Sequence, residues 1–265
     1  QIHKVLHKYG GTMESAIVKH DAVRQQIKQL AGESEDLSQL EQSIAPLEAD
    51  VVKLGGELRR KRQAAAKKLG PTIETQLAEL GMEKATFRVG VEPAGETVNE
   101  ATPSGMDRVE FIAQTNPGLD AQPLRRIASG GELSRIMLAL KQVLSGSTGD
   151  RVSVLVFDEI DANVGGRLAS VVGDKLRKLA SEHQVLCITH LPQIASYADR
   201  HLTVQKVQGS DTKTTVRQID GEDRLDELAE MIGGKTITKT TKAQAREMLV
   251  AAGVESGRRK KRKAS

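Results

Sequence analysis

Aromatic side chains make up 2% of this 265-residue chain, with three Phe, two Tyr and no Trp. So few rings exclude a stacking platform for single-stranded nucleic acid. A single cysteine, Cys187, excludes an intrachain disulfide framework and fits a reducing, cytoplasmic setting. Within Val185-Leu186-Cys187-Ile188 it reads as core packing rather than a nucleophile. The apolar runs are short, well under the roughly 20 residues of a membrane span, so no membrane partner is expected. Nothing reads as a signal peptide, and no G-x-G-x-x-G, H-E-x-x-H or C-x-x-C occurs. The six histidines form no ligand cluster. A phosphate-cradling P-loop is also missing. Gly233-Gly234-Lys235-Thr236 resembles the end of one, but Ala229 stands where the first glycine belongs. The segment before it reads as an amphipathic helix, whereas a P-loop follows a strand, so a helix C-cap is the better reading. The chain opens on Gln1 rather than Met, and a portion of a longer polypeptide is expected.

Charge is abundant: 28% of residues are Asp, Glu, Lys or Arg, the net charge is +4 and the pI about 9.1. Much of the basic excess sits in Arg258, Arg259, Lys260, Lys261, Arg262 and Lys263. Such a run suits the phosphate backbone of DNA; the alternative is a solvated tail. Far upstream, Val23, Ile27, Leu30, Leu37, Leu40, Ile44, Leu47, Val51, Leu54 and Leu58 follow the three-four rhythm of a coiled-coil seam. Thr12 is the expected N-cap, with Glu14 in the first turn. Gly32, Pro46 and Gly55-Gly56 are expected kinks, and Gly70-Pro71 a boundary. This divides the chain into a coiled-coil arm over 1–69 with a distal turn near 1–11, a lobe over 70–257 and a basic tail over 258–265.

In the lobe, strands are expected over 86–91 and 108–113, joined by a Gly/Pro-rich connection. A helix over 132–144 follows, then strand 152–157, helix 166–181, strand 185–189, helix 191–197, strand 202–207 and helix 223–231. Strands alternating with helices predict an α/β fold with a parallel sheet buried on both faces.

Two segments carry the chemistry. Ser129-Gly130-Gly131-Glu132-Leu133 is a glycine turn opening a helix, a ready anion site to which Ser129 adds a hydroxyl. Val154-Leu155-Val156-Phe157-Asp158-Glu159 is an apolar strand ending in two carboxylates. Asp158 there could hold Mg²⁺, and Glu159 could polarise a water for attack on a terminal phosphate. Caps for the following helix are the plainer alternative. His190, after a third apolar run, could contact a phosphate or orient the water. Together these residues describe half of a nucleotide-hydrolysing site.

Ile127-Ala128-Ser129-Gly130-Gly131-Glu132-Leu133-Ser134 resembles the signature motif of ABC-type ATPases of the structural-maintenance-of-chromosomes (SMC) kind, and 154–159 their Walker B strand. Ile160-Asp161-Ala162-Asn163 resembles the D-loop and Thr189-His190 the switch histidine. Stretches at 62–89, Asn116-Pro117-Gly118, 129–141 and His190-Leu191-Pro192-Gln193-Ile194-Ala195 are similar to the RecN family of bacterial DNA repair proteins. The resemblance implies an α/β head lobe of the ABC P-loop ATPase type plus a long coiled-coil arm. ATP and Mg²⁺ would be the cofactors. The partners would be DNA, an N-terminal P-loop lobe with an ascending helix from the same protein, a second head, and the recombinase RecA. It further implies that Ser129, Gly130 and Gly131 bind the opposing nucleotide's γ-phosphate, with Asp161 at the dimer interface and His190 near the γ-phosphate. Asp158 and Glu159 would serve the nucleotide of their own head, and the chain alone would be inactive. Ala128 and Glu132 depart from the general ABC pattern, which has leucine and glutamine there. An ABC-transporter nucleotide-binding subunit and a non-hydrolysing coiled-coil adaptor are the competing readings.

Overall fold

The computed structural model describes residues 2–95, 97–145, 154–207 and 213–253; the basic run 258–263 lies outside the described residues. The chain forms two units, Gln1–Gln63 with Glu92–Arg108, and Ala64–Val91 with Val109–Ser265.

In the first unit a short helix α1 (Ile2–Lys8) turns into α2 (Met13–Glu79), whose C-terminal end belongs to the second unit. Thr12 caps α2, its Oγ1 accepting from the Ser15 N–H at 3.1 Å. The seam residues stand open: Ile27 is 62% exposed, Leu40 60%, Leu47 63% and Leu54 62%, which leaves an uncovered apolar stripe along the helix. Near its lower end, Arg59 Nε donates to the Asp107 carboxylate at 2.5 Å and Arg62 Nη1 at 3.3 Å. The Asp107 side chain is fully buried, and the paired guanidiniums neutralise a charge that would be costly alone.

No break in the helix occurs at the expected positions. Helix α2 runs unbroken through Gly32, Pro46, Gly55-Gly56 and Gly70-Pro71. A proline or glycine inside a helix costs roughly 1–3 kcal/mol, which a helix of 67 residues absorbs because its neighbours propagate the turn. Gly70 has a packing reason instead. A Cβ there would lie 2.9 Å from the Phe87 carbonyl oxygen, so the missing side chain lets a strand cross the helix closely.

The second unit is built on the end of that helix. Ile73, Leu77 and Leu80 are all 0% exposed and enter a core with Phe87, Ile136, Leu155, Phe157 and Val172. Strands β1 (Thr86–Pro93), β2 (Asp107–Gln114) and β3 (Gln122–Pro123) form one sheet in that order, Ile112 opposite Pro123 in an antiparallel β2–β3 pair. Then follow α3 (Gly130–Leu144), β4 (Val154–Phe157), α4 (Gly166–Leu179), β5 (Gln184–Cys187) and the one-turn helix α5 (Pro192–Ala195). Strands β4 and β5 pair in parallel, Val154 opposite Gln184 and Phe157 opposite Cys187.

The C-terminal part departs from expectation. Strand β6 (His201–Val207) pairs antiparallel with β7 (Lys213–Ile219), so it does not extend the parallel sheet. Helix α6 (Gly221–Gly233) follows, Gly234 ending it at φ 75°, and α7 (Lys239–Ala251) closes the described chain. Neither β7 nor α7 is expected from the sequence. Strand β7 buries only Ile219, and α7 only Ala245 and Leu249, so neither has an apolar rhythm to announce it. The parallel pair is also not covered on both faces. Leu155 and Phe157 point into the core, while Val154 (51%), Val156 (61%), Leu186 (46%) and Ile188 (57%) leave an apolar face exposed.

Candidate functional site

Three chain turns meet at one end of the β4–β5 pair. The first is the N-terminus of α3. Ser129 is extended (φ −84°, ψ 114°) and its Oγ accepts from the Glu132 N–H at 3.4 Å, while the first-turn N–H groups carry the partial positive charge of a helix start. Gly130 and Gly131 belong here for packing as well as for their bare N–H groups. A Cβ on Gly130 would collide with the Glu159 carboxylate, and one on Gly131 would lie 2.7 Å from Ala162 Cβ and 2.9 Å from the Glu159 carbonyl oxygen. The first turn of α3 therefore rests directly on the second turn of the site.

That second turn follows β4. Asp158 Oδ1 accepts from the Glu159 N–H at 2.9 Å, and the Asp158 carbonyl accepts from the Ser134 hydroxyl at 2.7 Å. Glu159 is left-handed at φ 56°, a conformation that costs a side-chain-bearing residue about 1 kcal/mol or more and persists only where its surroundings enforce it. Arg135 supplies part of that enforcement. It is 8% exposed, and its Nη1 donates to the carbonyls of Ile160 (3.4 Å) and Ala162 (3.0 Å). Burial lowers the Arg135 pKa from its ordinary value, and the charge of Glu132 partly opposes this. Sequence reading missed Arg135; the available signal was a lone cation next to Ile136 on the apolar side of α3.

The third turn follows β5. Asp161, 5% exposed, accepts through Oδ2 from Thr189 Oγ1 at 2.6 Å and from the His190 N–H at 2.9 Å, and lies 3.0 Å from His190 Nδ1. Its carboxylate is thus engaged within its own chain. Glu132 is half-buried, with Asn116 Nδ2 donating to its Oε1 at 3.3 Å. Burial, with the nearby charges of Asp161 and Asp158, pushes the Cys187 thiol up to about 12, so it stays a protonated packing group at neutral pH.

Among the described residues no group of three or more His, Cys, Asp or Glu side chains could hold a metal by itself. Mg²⁺ usually takes one or two carboxylates together with phosphate oxygens and water. Asp158 is exposed at its strand end and uses one carboxylate oxygen in the turn, so its donor set fits that role.

No family model matches the chain. Over 250 residues it is 37% identical to the DNA repair protein RecN of Halalkalibacterium halodurans, covering 94% of this chain and 44% of that protein. It is 40% identical over 251 residues to the RecN of Treponema pallidum, with the same coverage of 94% and 44%. The chain belongs to the RecN family. The Vibrio cholerae RecN is 39% identical over 253 residues, 95% of this chain and 45% of that protein. This RecN-family chain therefore spans less than half the length of the curated relatives it matches. Among solved structures, the Smc head domain with a coiled coil and joint from Pyrococcus yayanosii covers 83% of this chain and 39% of its own, at 21% identity and a TM-score of 0.50. The fold is accordingly the α/β fold of an SMC head domain with a coiled coil.

Proposed function

We propose that this chain is the returning arm and C-terminal head lobe of a RecN-type ATPase that acts in repair of DNA double-strand breaks. The observation that carries the reading is the packing of the α3 N-terminus, an anion site, on the strand-end pair Asp158-Glu159. A P-loop lobe from elsewhere in the same polypeptide would cover the exposed face of Val154, Val156, Leu186 and Ile188, and an ascending helix the seam of α2. The chain lengths support this, since the relatives are more than twice as long as the matched stretch.

In this reading Asp158 holds Mg²⁺, which neutralises the phosphate charge when bound. Glu159 takes a proton from the attacking water, and His190 faces the γ-phosphate. Ser129, Gly130 and Gly131 offer N–H and hydroxyl donors to the nucleotide of a second head, so turnover requires two heads and gates the holding of DNA. Asp161 sits in the D-loop near that interface. A transporter subunit would carry a contiguous P-loop and no long apolar seam. An adaptor would have no need of the strand-end carboxylates. Neither the site nor the names of the relatives point to RecA.

These 265 residues alone are expected to show background Mg-ATP turnover, and adding the P-loop lobe to restore it. Turnover by the isolated chain that Glu159→Gln abolishes would mean a complete site and would overturn the split-head reading. Restored turnover that fails to appear would favour the adaptor.

The basic run adds a separate expectation. Deleting residues 258–263 from the full-length protein should weaken duplex DNA binding chiefly at low salt and flatten the dependence of log K on log salt. An unchanged affinity and slope in a fluorescence-anisotropy salt titration would reduce the run to a solubilising tail.

A further inference from the structure

We propose that Asp161 is a positioning residue for His190: its carboxylate keeps the ring hydrogen on Nδ1 and leaves Nε2 facing outward as the working nitrogen. The proposal rests on the nucleotide-hydrolysis reading for its purpose but not for its geometry.

Asp161 Oδ2 gathers the Thr189 hydroxyl at 2.6 Å, the His190 backbone N–H at 2.9 Å and His190 Nδ1 at 3.0 Å. An ionised carboxylate offers only lone pairs, so a ring nitrogen at hydrogen-bond distance from it must bring the hydrogen. A neutral imidazole has one N–H, and placing it on Nδ1 leaves a bare lone pair on Nε2. Buried carboxylates set the tautomer and orientation of catalytic and metal-binding histidines in the same way.

Burial separates the two partners. The Asp161 side chain is 5% exposed and that of His190 76%, so the anchor is inside and the rest of the ring is free to meet a ligand. The anchor is itself held. Arg135 grips the carbonyls on either side of it, at Ile160 and Ala162, and the Val164 N–H donates to the Asp161 carbonyl at 3.1 Å. Thr189 Oγ1 also accepts from the Leu191 N–H at 3.0 Å, which leaves its own hydrogen for Asp161. The neutral ring therefore presents Nε2 as an acceptor, suited to a water, and donates there only after gaining a proton. Asp161 consequently acts inside its own head, whatever it also contacts across a dimer.

The test is ring-¹⁵N histidine NMR on the full-length protein, with His190 assigned by its loss in His190→Gln. In the wild type His190 should show a protonated Nδ1 and a bare Nε2. Asp161→Ala removes the acceptor from Nδ1, so the hydrogen should no longer be held there and should move toward Nε2. Turnover of that variant should fall about 100-fold, with KM for ATP changed less than about threefold. Thr189→Val removes a donor from the same oxygen and should leave the tautomer as it is. A wild-type ring carrying its hydrogen on Nε2, or ring signals unchanged by Asp161→Ala, would overturn the proposal. The wild-type spectrum alone decides if the variant fails to fold. Should Glu159→Gln leave turnover intact, the hydrolysis reading falls while the spectrum still judges Asp161.

Discussion

Replacing Glu159 by Gln should lower Mg-ATP turnover of the full-length protein at least about 100-fold, equivalent to about 2.7 kcal/mol of transition-state stabilisation. The substitution removes the ability to accept a proton and keeps the shape. Its backbone costs should not change, because Glu159 already holds φ 56° and glutamine has the same branching at Cβ. The turn is held from outside the side chain, by Asp158 Oδ1 on the Glu159 N–H and by the Ala162 N–H on the Glu159 carbonyl at 3.0 Å. The melting temperature should accordingly move by less than about 2 °C, and KM for ATP by less than about threefold. A steady-state assay with a parallel melting curve separates the outcomes. Unchanged turnover would remove Glu159 from the proton-accepting role, and turnover lost together with folding would show that the turn depends on the charge.

Leu77→Ala should cost about 2–5 kcal/mol of stability, a large share of the total for a domain of this size. Leu77 is 0% exposed, as are Ile73 one turn before it and Leu80 one turn after. Ile73 and Leu77 lie in the last turns of α2 and Leu80 just past its end, beyond the open seam, where the chain becomes part of the lobe's core. Truncation there leaves a cavity bordered by a long helix with little freedom to collapse, which favours the upper part of the range. Leu54→Ala in the seam is the matched comparison. With 62% of Leu54 exposed, it should cost no more than about 0.5 kcal/mol in this chain by itself. Urea unfolding measures both. A Leu77→Ala loss below about 1 kcal/mol would place the end of α2 outside the core. A large loss at Leu54 would mean that another helix already covers the seam.

Elements with their own local signal are legible in the amino-acid sequence. The seam of α2, the strand-end carboxylates and the glycine turn each lie within a few consecutive residues or a regular repeat. Local punctuation misleads where context overrides it. Pro46 and Gly70-Pro71 sit inside an unbroken helix because the turns on both sides sustain it, and Gly70 answers to the Phe87 carbonyl rather than to a chain break. Polar edge elements such as β7 carry no rhythm to read, and without β7 the strand β6 reads as part of the parallel sheet.

By itself the sequence determined the long helix, the run of lobe elements from β4 to α5 in their order, and which residue types stand at the strand and helix ends, because hydrophobic period and turn chemistry act over a few residues. Only the tertiary structure decided what those residues touch. It put Arg135 under the 159–162 turn and closed the Glu159 carboxylate on Gly130. It also joined Asp161 to His190 across 29 positions. Those contacts arise because a buried charge must find its hydrogen-bond partners wherever the folded chain brings them, and nothing in a local pattern records where that will be.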